Sequence, residues 1–157
     1  MTLTVRPMIA NDAPACTDIL NDIIARGGTT AYEDPYTVEG FDAHYRAETA
    51  ISMVVLFDGD IIGFQGLFEV SPGVYSIGSF TDRRSAVKGA GSVMFKATLD
   101  AAKLRGGSEI LAKITSDNTG GLSYYARMGF EDYEIQEADL TRSDGTIVDR
   151  VIKRLAL

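Results

Sequence analysis

Histidine and cysteine are nearly absent from this chain of 157 residues, which has one of each, His44 and Cys16. Zinc sites built on several such ligands cannot be assembled from them, and no metal is expected. A lone cysteine closes no disulfide within the chain, which excludes a secreted disulfide framework. Basic residues are also in deficit. Fifteen Lys and Arg face 22 Asp and Glu, a formal net charge of −7. Nucleic-acid binding rests on cations that neutralise phosphates, so this balance argues against a DNA- or RNA-binding domain, while a local basic spot can still hold one small polyanion. Long apolar runs are missing too. The longest is Ile51 to Phe57, interrupted by Ser52, against about 20 residues for a membrane-spanning helix. The first residues, Met1-Thr-Leu-Thr-Val-Arg-Pro7, carry no apolar h-region. The expected compartment is therefore the cytoplasm, with no membrane partner.

The two scarce residues read mostly as structural. Cys16 lies in an apolar helical pattern with Ala15, Ile19, Leu20 and Ile23, the setting of a small core residue. His44 sits among Phe41, Tyr45 and Arg46. It reads as a core-edge or surface residue, with a substrate contact as the alternative.

What is present suits one domain: 45% hydrophobic and 24% charged residues, enough apolar material to offset the entropy of ordering. Asn11-Asp-Ala-Pro14 marks a helix start. Ile19, Leu20, Ile23 and Ile24 give that helix an apolar face, and Gly27-Gly28 ends it. Thr37 is placed to cap a second helix bearing Phe41 and Tyr45. Ile51 to Phe57 reads as a strand. Asp58-Gly59 signals a hairpin to Ile61–Val70, and Ser71-Pro-Gly73 turns the chain into a strand at Val74–Asp82. A long helix spans 89–105, a strand Glu109–Thr115, a helix Asn118–Met128, and two strands lie near Glu131–Glu137 and Ile147–Leu155. The order is α, α, β, β, β, α, β, α, β, β. It implies a mixed α+β domain over 1–157, mostly antiparallel, with one parallel pair from the crossover between Val74 and Thr115 and helices packed on the sheet.

Two segments carry the chemistry. Lys88-Gly-Ala-Gly91-Ser92 follows a strand and opens the longest helix. Its glycines permit a tight turn that exposes several N–H groups, and the helix dipole adds positive potential, a setting for a diphosphate. Arg83 and Arg84 lie close by. A merely tight strand-to-helix turn is the other reading. The second segment is Asn118-Thr-Gly-Gly-Leu-Ser-Tyr-Tyr125-Ala-Arg-Met-Gly129-Phe130.

Together these segments resemble the GCN5-related N-acetyltransferase (GNAT) superfamily. Its members carry Arg/Gln-x-x-Gly-x-Gly/Ala at the start of the central helix, then an Asn and a helix ending Tyr-x-x-x-Gly-Phe. Here the first motif reads Ala86-Val-Lys-Gly89-Ala-Gly91, so Ala86 replaces the Arg or Gln side chain. The resemblance implies acetyl transfer from acetyl-CoA to an amine. It also implies a parallel strand pair splayed around the donor, with helices on both sheet faces. The backbone of Phe80 and Thr81 would then meet the pantetheine arm. Val87, Lys88, Gly89, Ala90, Gly91 and Ser92 would hold the diphosphate, and Asn118 would bond the donor or cap its helix. Tyr125 would be the general acid for the leaving thiolate, its other reading being a core aromatic. Thr29-Thr-Ala-Tyr-Glu33 is similar to a loop bordering the acceptor site of phosphinothricin and amino-acid N-acetyltransferases. That makes Glu33 the leading candidate for general base, with Glu69 and Asp82 as other candidates and a water wire to solvent as the alternative to any side chain. The expected acceptor is a small-molecule amine, an amino acid or analogue. The alternatives are a protein N-terminus or lysine, and a non-catalytic CoA-binding domain. A homodimer through sheet edges is possible.

Overall fold

The β-branched run at 50–57 and the segment after Asp58-Gly59 form the hairpin on which the sheet is built. Asp58 and Gly59 both take positive φ, 49° and 90°, the geometry of a tight turn matched to strand twist. The computed structural model describes residues 2–157. Its strands are β1 (Leu3–Pro7), β2 (Ala50–Phe57), β3 (Asp60–Ser71), β4 (Val74–Thr81), β5 (Glu109–Thr115), β6 (Glu131–Thr141) and β7 (Ile147–Ala156). Its helices are α1 (Ala13–Arg26), α2 (Val38–Tyr45), α3 (Ala90–Leu104) and α4 (Thr119–Arg127). One sheet holds all seven strands in the order β1-β2-β3-β4-β5-β7-β6.

The mixed, mostly antiparallel sheet with one parallel pair is borne out, and helices pack on both faces. On one face α1 and α2 bury Cys16, Leu20, Phe41 and Tyr45 against Val54 and Phe64. On the other, α3 and α4 bury Met94, Phe95 and Tyr125 against Val55, Leu67, Ile77 and Ile110. Alternate residues of one strand thus feed opposite cores, as the period of two requires. No helix of the described residues is long and apolar enough to cross a membrane.

Two features depart from the sequence reading. Strand β1 was not expected. It is five residues long and pairs antiparallel with β2, from Leu3↔Phe57 to Pro7↔Met53; so short a strand is stable only through its partner. The start of α1 also differs. A 3₁₀ turn at Ala10–Asp12 precedes it, and Asp12 does not cap α1. Its carboxylate accepts from Arg6 Nη1 and Nη2 at 2.7 and 2.9 Å and from the Ile9 amide at 2.8 Å. Thr37 does cap α2, accepting from the Gly40 amide at 3.0 Å.

The feature that positions the site lies between β4 and β5. They pair in parallel only from Val74–Ser76 to Glu109–Leu111. Beyond that both strands continue, to Thr81 and Thr115, without pairing each other. β5 instead pairs along its full length with β7, so the sheet stays continuous at its base and opens at its top.

Candidate active site

The opening between β4 and β5 is the mouth of a cleft of about 660 Å³. Its walls come from the free halves of both strands, the starts of α3 and α4, and the loop after α1. The free edge of β4 can be read from its bonded edge. The Asp82 amide donates to Ile62 O at 2.7 Å, and a methyl group at Gly63 would sit 2.8 Å from Phe80 O. The even-numbered peptides of β4 therefore face β3. Strand alternation turns the N–H and C=O groups of Ile77, Ser79 and Thr81 toward the gap.

At one end of the cleft, α3 begins without a side-chain cap. Gly89 has φ +88°, a left-handed conformation that a side chain would strain. The first amide of this turn to find an acceptor is that of Val93, bonded to Gly89 O at 3.2 Å. The amides from Gly89 to Ser92 have none among the described residues. Unpaired donors at the positive end of a 15-residue helix, beside a cleft that Arg83 and Arg127 also line, suit a diphosphate. Gly91 has no room for a side chain, since a Cβ there would lie 2.7 Å from the Tyr124 ring.

Helix α4 supplies the opposite wall. The Asn118 side chain accepts from the Gly121 amide at 2.9 Å and fixes its first turn. Two phenols follow. Tyr125 is buried, and its hydroxyl lies 2.8 Å from Ser79 Oγ. Burial pushes its pKa above the ordinary phenol value, while the Ser79 bond opposes that shift. The phenol thus keeps its proton at neutral pH. Tyr124 Oη donates to Gly91 O at 2.8 Å and accepts from Gln65 Nε2 at 3.1 Å.

The far end of the cleft lies on the α1/α2 face. Tyr32 stacks on Phe80, with ring centroids 6.4 Å apart. Lys113 and Arg150 line the same end. They share one face of the β5–β7 pair, because Thr115 opposes Arg150 and Lys113 lies two residues from Thr115. Arg150 Nε is 3.3 Å from Asp139 yet makes no hydrogen bond. Above them, the turn after β6 clasps the loop after α1. Arg142 donates to Asp117, to Thr30 O and to Thr115 Oγ1, and Thr115 Oγ1 donates to Thr29 O.

The model of the family described as acetyltransferase (GNAT) matches residues 18–130. The chain belongs to this family. It is an acetyl-CoA-dependent N-acetyltransferase. No curated protein matches its sequence. Among solved structures, GNAT folds superpose over almost the whole chain. An N-acetyltransferase from Staphylococcus aureus has a TM-score of 0.89 at 18% identity, with 99% of each chain covered. The yncA protein of Salmonella typhimurium, solved with acetyl-CoA, has a TM-score of 0.91 at 18% identity, covering 100% of this chain and 95% of that one. A phosphinothricin acetyltransferase of Sinorhizobium meliloti, also with acetyl-CoA, reaches 0.89 at 18%, covering 100% and 89%.

In this acetyltransferase the expected residues divide. Phe80, Thr81, Val87, Gly89, Ala90, Gly91, Asn118 and Tyr125 all line the one cleft. Phe80 does so with its side chain, because its peptide faces β3. The free backbone edge belongs to Ser79 and Thr81 instead. Lys88 and Ser92 are exposed and outside the lining, although the Ser92 amide belongs to the unpaired set. Arg84, one of the two arginines near this turn, is held by Asp82 and Asp18, both at 2.8 Å. Arg83 takes the position facing the cleft.

Glu33 lies apart from the other expected residues. Its carboxylate does not line the cleft. Both oxygens accept from the Ser143 amide at 3.1 Å, and that contact holds its pKa below the ordinary carboxylate value. A carboxylate so placed ties the loop after α1 to the turn after β6. Glu69 bonds its own turn at the Gly73 amide, and Asp82 is held ionised by Arg84. His44 stacks on Phe68 at 4.3 Å, away from the cleft. Gln65, Ser79, Lys113, Arg142 and Arg150 were missed. Each is a single polar residue within a strand or turn pattern, and only the fold brings them together.

Proposed function

We propose that this GNAT enzyme acetylates the primary amine of a small molecule, an amino acid or analogue, in a ternary complex with acetyl-CoA. One observation carries the reading. A single cleft passes through the sheet from the unpaired amides of α3, past Tyr125, to a cationic end roofed by the loop after α1. In this reading the amides of Gly89 to Ser92 and the side chain of Arg83 hold the diphosphate, which compensates for Ala86. Thr81 and Ser79 offer backbone partners to the pantetheine amides, and Asn118 shapes the start of α4 beside them.

The acetyl thioester supplies the acyl carbon; a C–N bond forms as the C–S bond breaks, giving an amide and a thiol. Tyr125 holds, at Oη, the proton that a departing thiolate requires. An alkylamine of pKa about 10 must arrive deprotonated or lose its proton on the enzyme. Glu33, Glu69 and Asp82 are all engaged elsewhere, so in this reading that proton leaves through the open mouth of the cleft to solvent. Lys113 and Arg150 suit a carboxylate on the acceptor, with Tyr32 and Phe80 as its apolar walls.

Thiol release measured over free amino acids, their decarboxylated amines and short peptides tests the acceptor class. Amino acids should turn over fastest. A preference for peptides, or for amines without a carboxylate, refutes it. The reading includes a homodimer. Strand β6 is an outer strand, exposed along nearly its whole length, with Tyr133 and Ile135 about 60% accessible, and such an edge pairs readily with a second copy. Sedimentation showing monomer at all concentrations would remove that element.

A further inference from the structure

The polar groups between the sheet and α4 form a chain whose direction can be worked out atom by atom. It begins at Gly91 O, which can only accept. Tyr124 Oη lies 2.8 Å from it, so the single Tyr124 proton is committed there. Tyr124 Oη therefore accepts from its other partner, Gln65, 3.1 Å away. That requirement fixes the amide of Gln65 with Nε2 toward the tyrosine, and leaves its buried Oε1 without any partner. The second Nε2 proton goes to Ser79 Oγ at 2.7 Å. Ser79 Oγ thus accepts from Gln65, which leaves its own proton to donate to Tyr125 Oη, 2.8 Å away. With Ser79 as the donor of that pair, the Tyr125 hydroxyl proton is left over, in a side chain that lines the cleft.

We infer that Gln65 and Ser79 are positioning residues that set the polarity of the Tyr125 hydroxyl, so that it accepts from Ser79 and offers its proton to the reaction cleft. This rests on the proposed role of Tyr125 as acid and goes beyond it. A phenol with a free choice of partners would spend part of its time donating to Ser79, with its proton turned away from any leaving group. The relay from Gly91 O through Tyr124, Gln65 and Ser79 biases that choice, because Gln65 occupies one Ser79 lone pair and leaves the serine proton aimed at Tyr125. It also ties the acid to the first turn of α3, so the same turn that presents unpaired amides to a diphosphate orients the phenol. Neither Gln65 nor Ser79 needs to touch the substrates through its side chain for this effect.

A double-mutant cycle tests the inference on the full-length enzyme: Ser79→Ala, Tyr125→Phe and the pair, with Gln65→Met as a second entry into the chain and Ser79→Thr as the conservative variant. Calorimetry with acetyl-CoA first verifies that each variant binds the donor as the parent does. Ser79→Ala should lower kcat about tenfold, a fraction of a general acid's usual contribution, with KM for acetyl-CoA within twofold. Gln65→Met should lower kcat in the same direction, and Ser79→Thr should restore most of the rate. In the Tyr125→Phe background, Ser79→Ala should cost nothing more. An equal loss in both backgrounds, or full activity of Ser79→Ala and Gln65→Met, overturns the inference while leaving Tyr125 as the acid. No loss in Tyr125→Phe alone overturns both.

Discussion

Arg142 grips Asp117 with two parallel hydrogen bonds, Nη2 to Oδ1 at 2.9 Å and Nε to Oδ2 at 3.0 Å. This fork joins the turn after β6 to the segment between β5 and α4. Because Arg142 also donates to Thr30 O, the loop after α1 depends on the same guanidinium. Arg142→Ala should destabilise the protein by about 2 kcal/mol, since it leaves a partly buried carboxylate and a loop carbonyl unpaired. The loss would be read from urea unfolding at neutral pH.

The pH dependence of that contact has a definite sign. Arg142, through its hydrogen bonds, holds the Asp117 carboxyl below its ordinary pKa. A carboxyl depressed in the folded state contributes stability that is complete above its unfolded pKa of about 3.9 and is lost as pH falls through the folded value. The stability gap between parent and Arg142→Ala should therefore be widest above about pH 5 and narrow in more acidic solution. A gap that stays constant to pH 2 would refute the assignment.

Tyr125→Phe removes the proton held at Oη together with the bond to Ser79. It should lower kcat about 100-fold, while the dissociation constant for acetyl-CoA by calorimetry changes less than threefold. Equal turnover of parent and variant would remove Tyr125 from the chemistry.

Gly89→Glu acts at the other end of the cleft. It places a side chain at φ +88° and a negative charge beside the unpaired amides of α3. Acetyl-CoA should bind at least tenfold more weakly, the effect of about 1.4 kcal/mol. Unchanged affinity would move the diphosphate elsewhere.

Glu33→Gln tests the role of this carboxylate. As a tether to the Ser143 amide, it should change KM for the acceptor more than kcat, with the shape of the pH–rate profile preserved. A collapse of kcat with loss of its alkaline rise would restore Glu33 as the base.

Cys16 offers a simple check on the α1/α2 core. The thiol is fully buried, and burial pushes its pKa up to about 12. It should react with a disulfide reagent only after unfolding, at one thiol per chain.

The resemblance to the family was legible because its two motifs are local. A glycine turn into a helix and a Tyr-x-x-x-Gly-Phe ending are each set by contiguous residues, and most element boundaries followed from hydrophobic period and turn residues. What was missed depends on distant partners. Strand β1 is too short to show a pattern and exists because β2 lies beside it. Asp12 looked like a helix cap until Arg6 claimed it. Glu33 looked like a free loop carboxylate because Ser143, 110 positions later, could not be seen beside it.

The sequence alone determined the order of the helices and of every strand but β1, the glycine-rich start of α3 and the family, because backbone preferences and the alternation of apolar residues act over a few neighbours. The tertiary structure alone decided which polar groups meet. Gln65, Ser79, Tyr124 and Tyr125 come from three separate elements, and so do Lys113, Arg150 and the loop above them. Their pairing rests on strand register and on the gap between β4 and β5, which are set by long-range packing that no local pattern encodes.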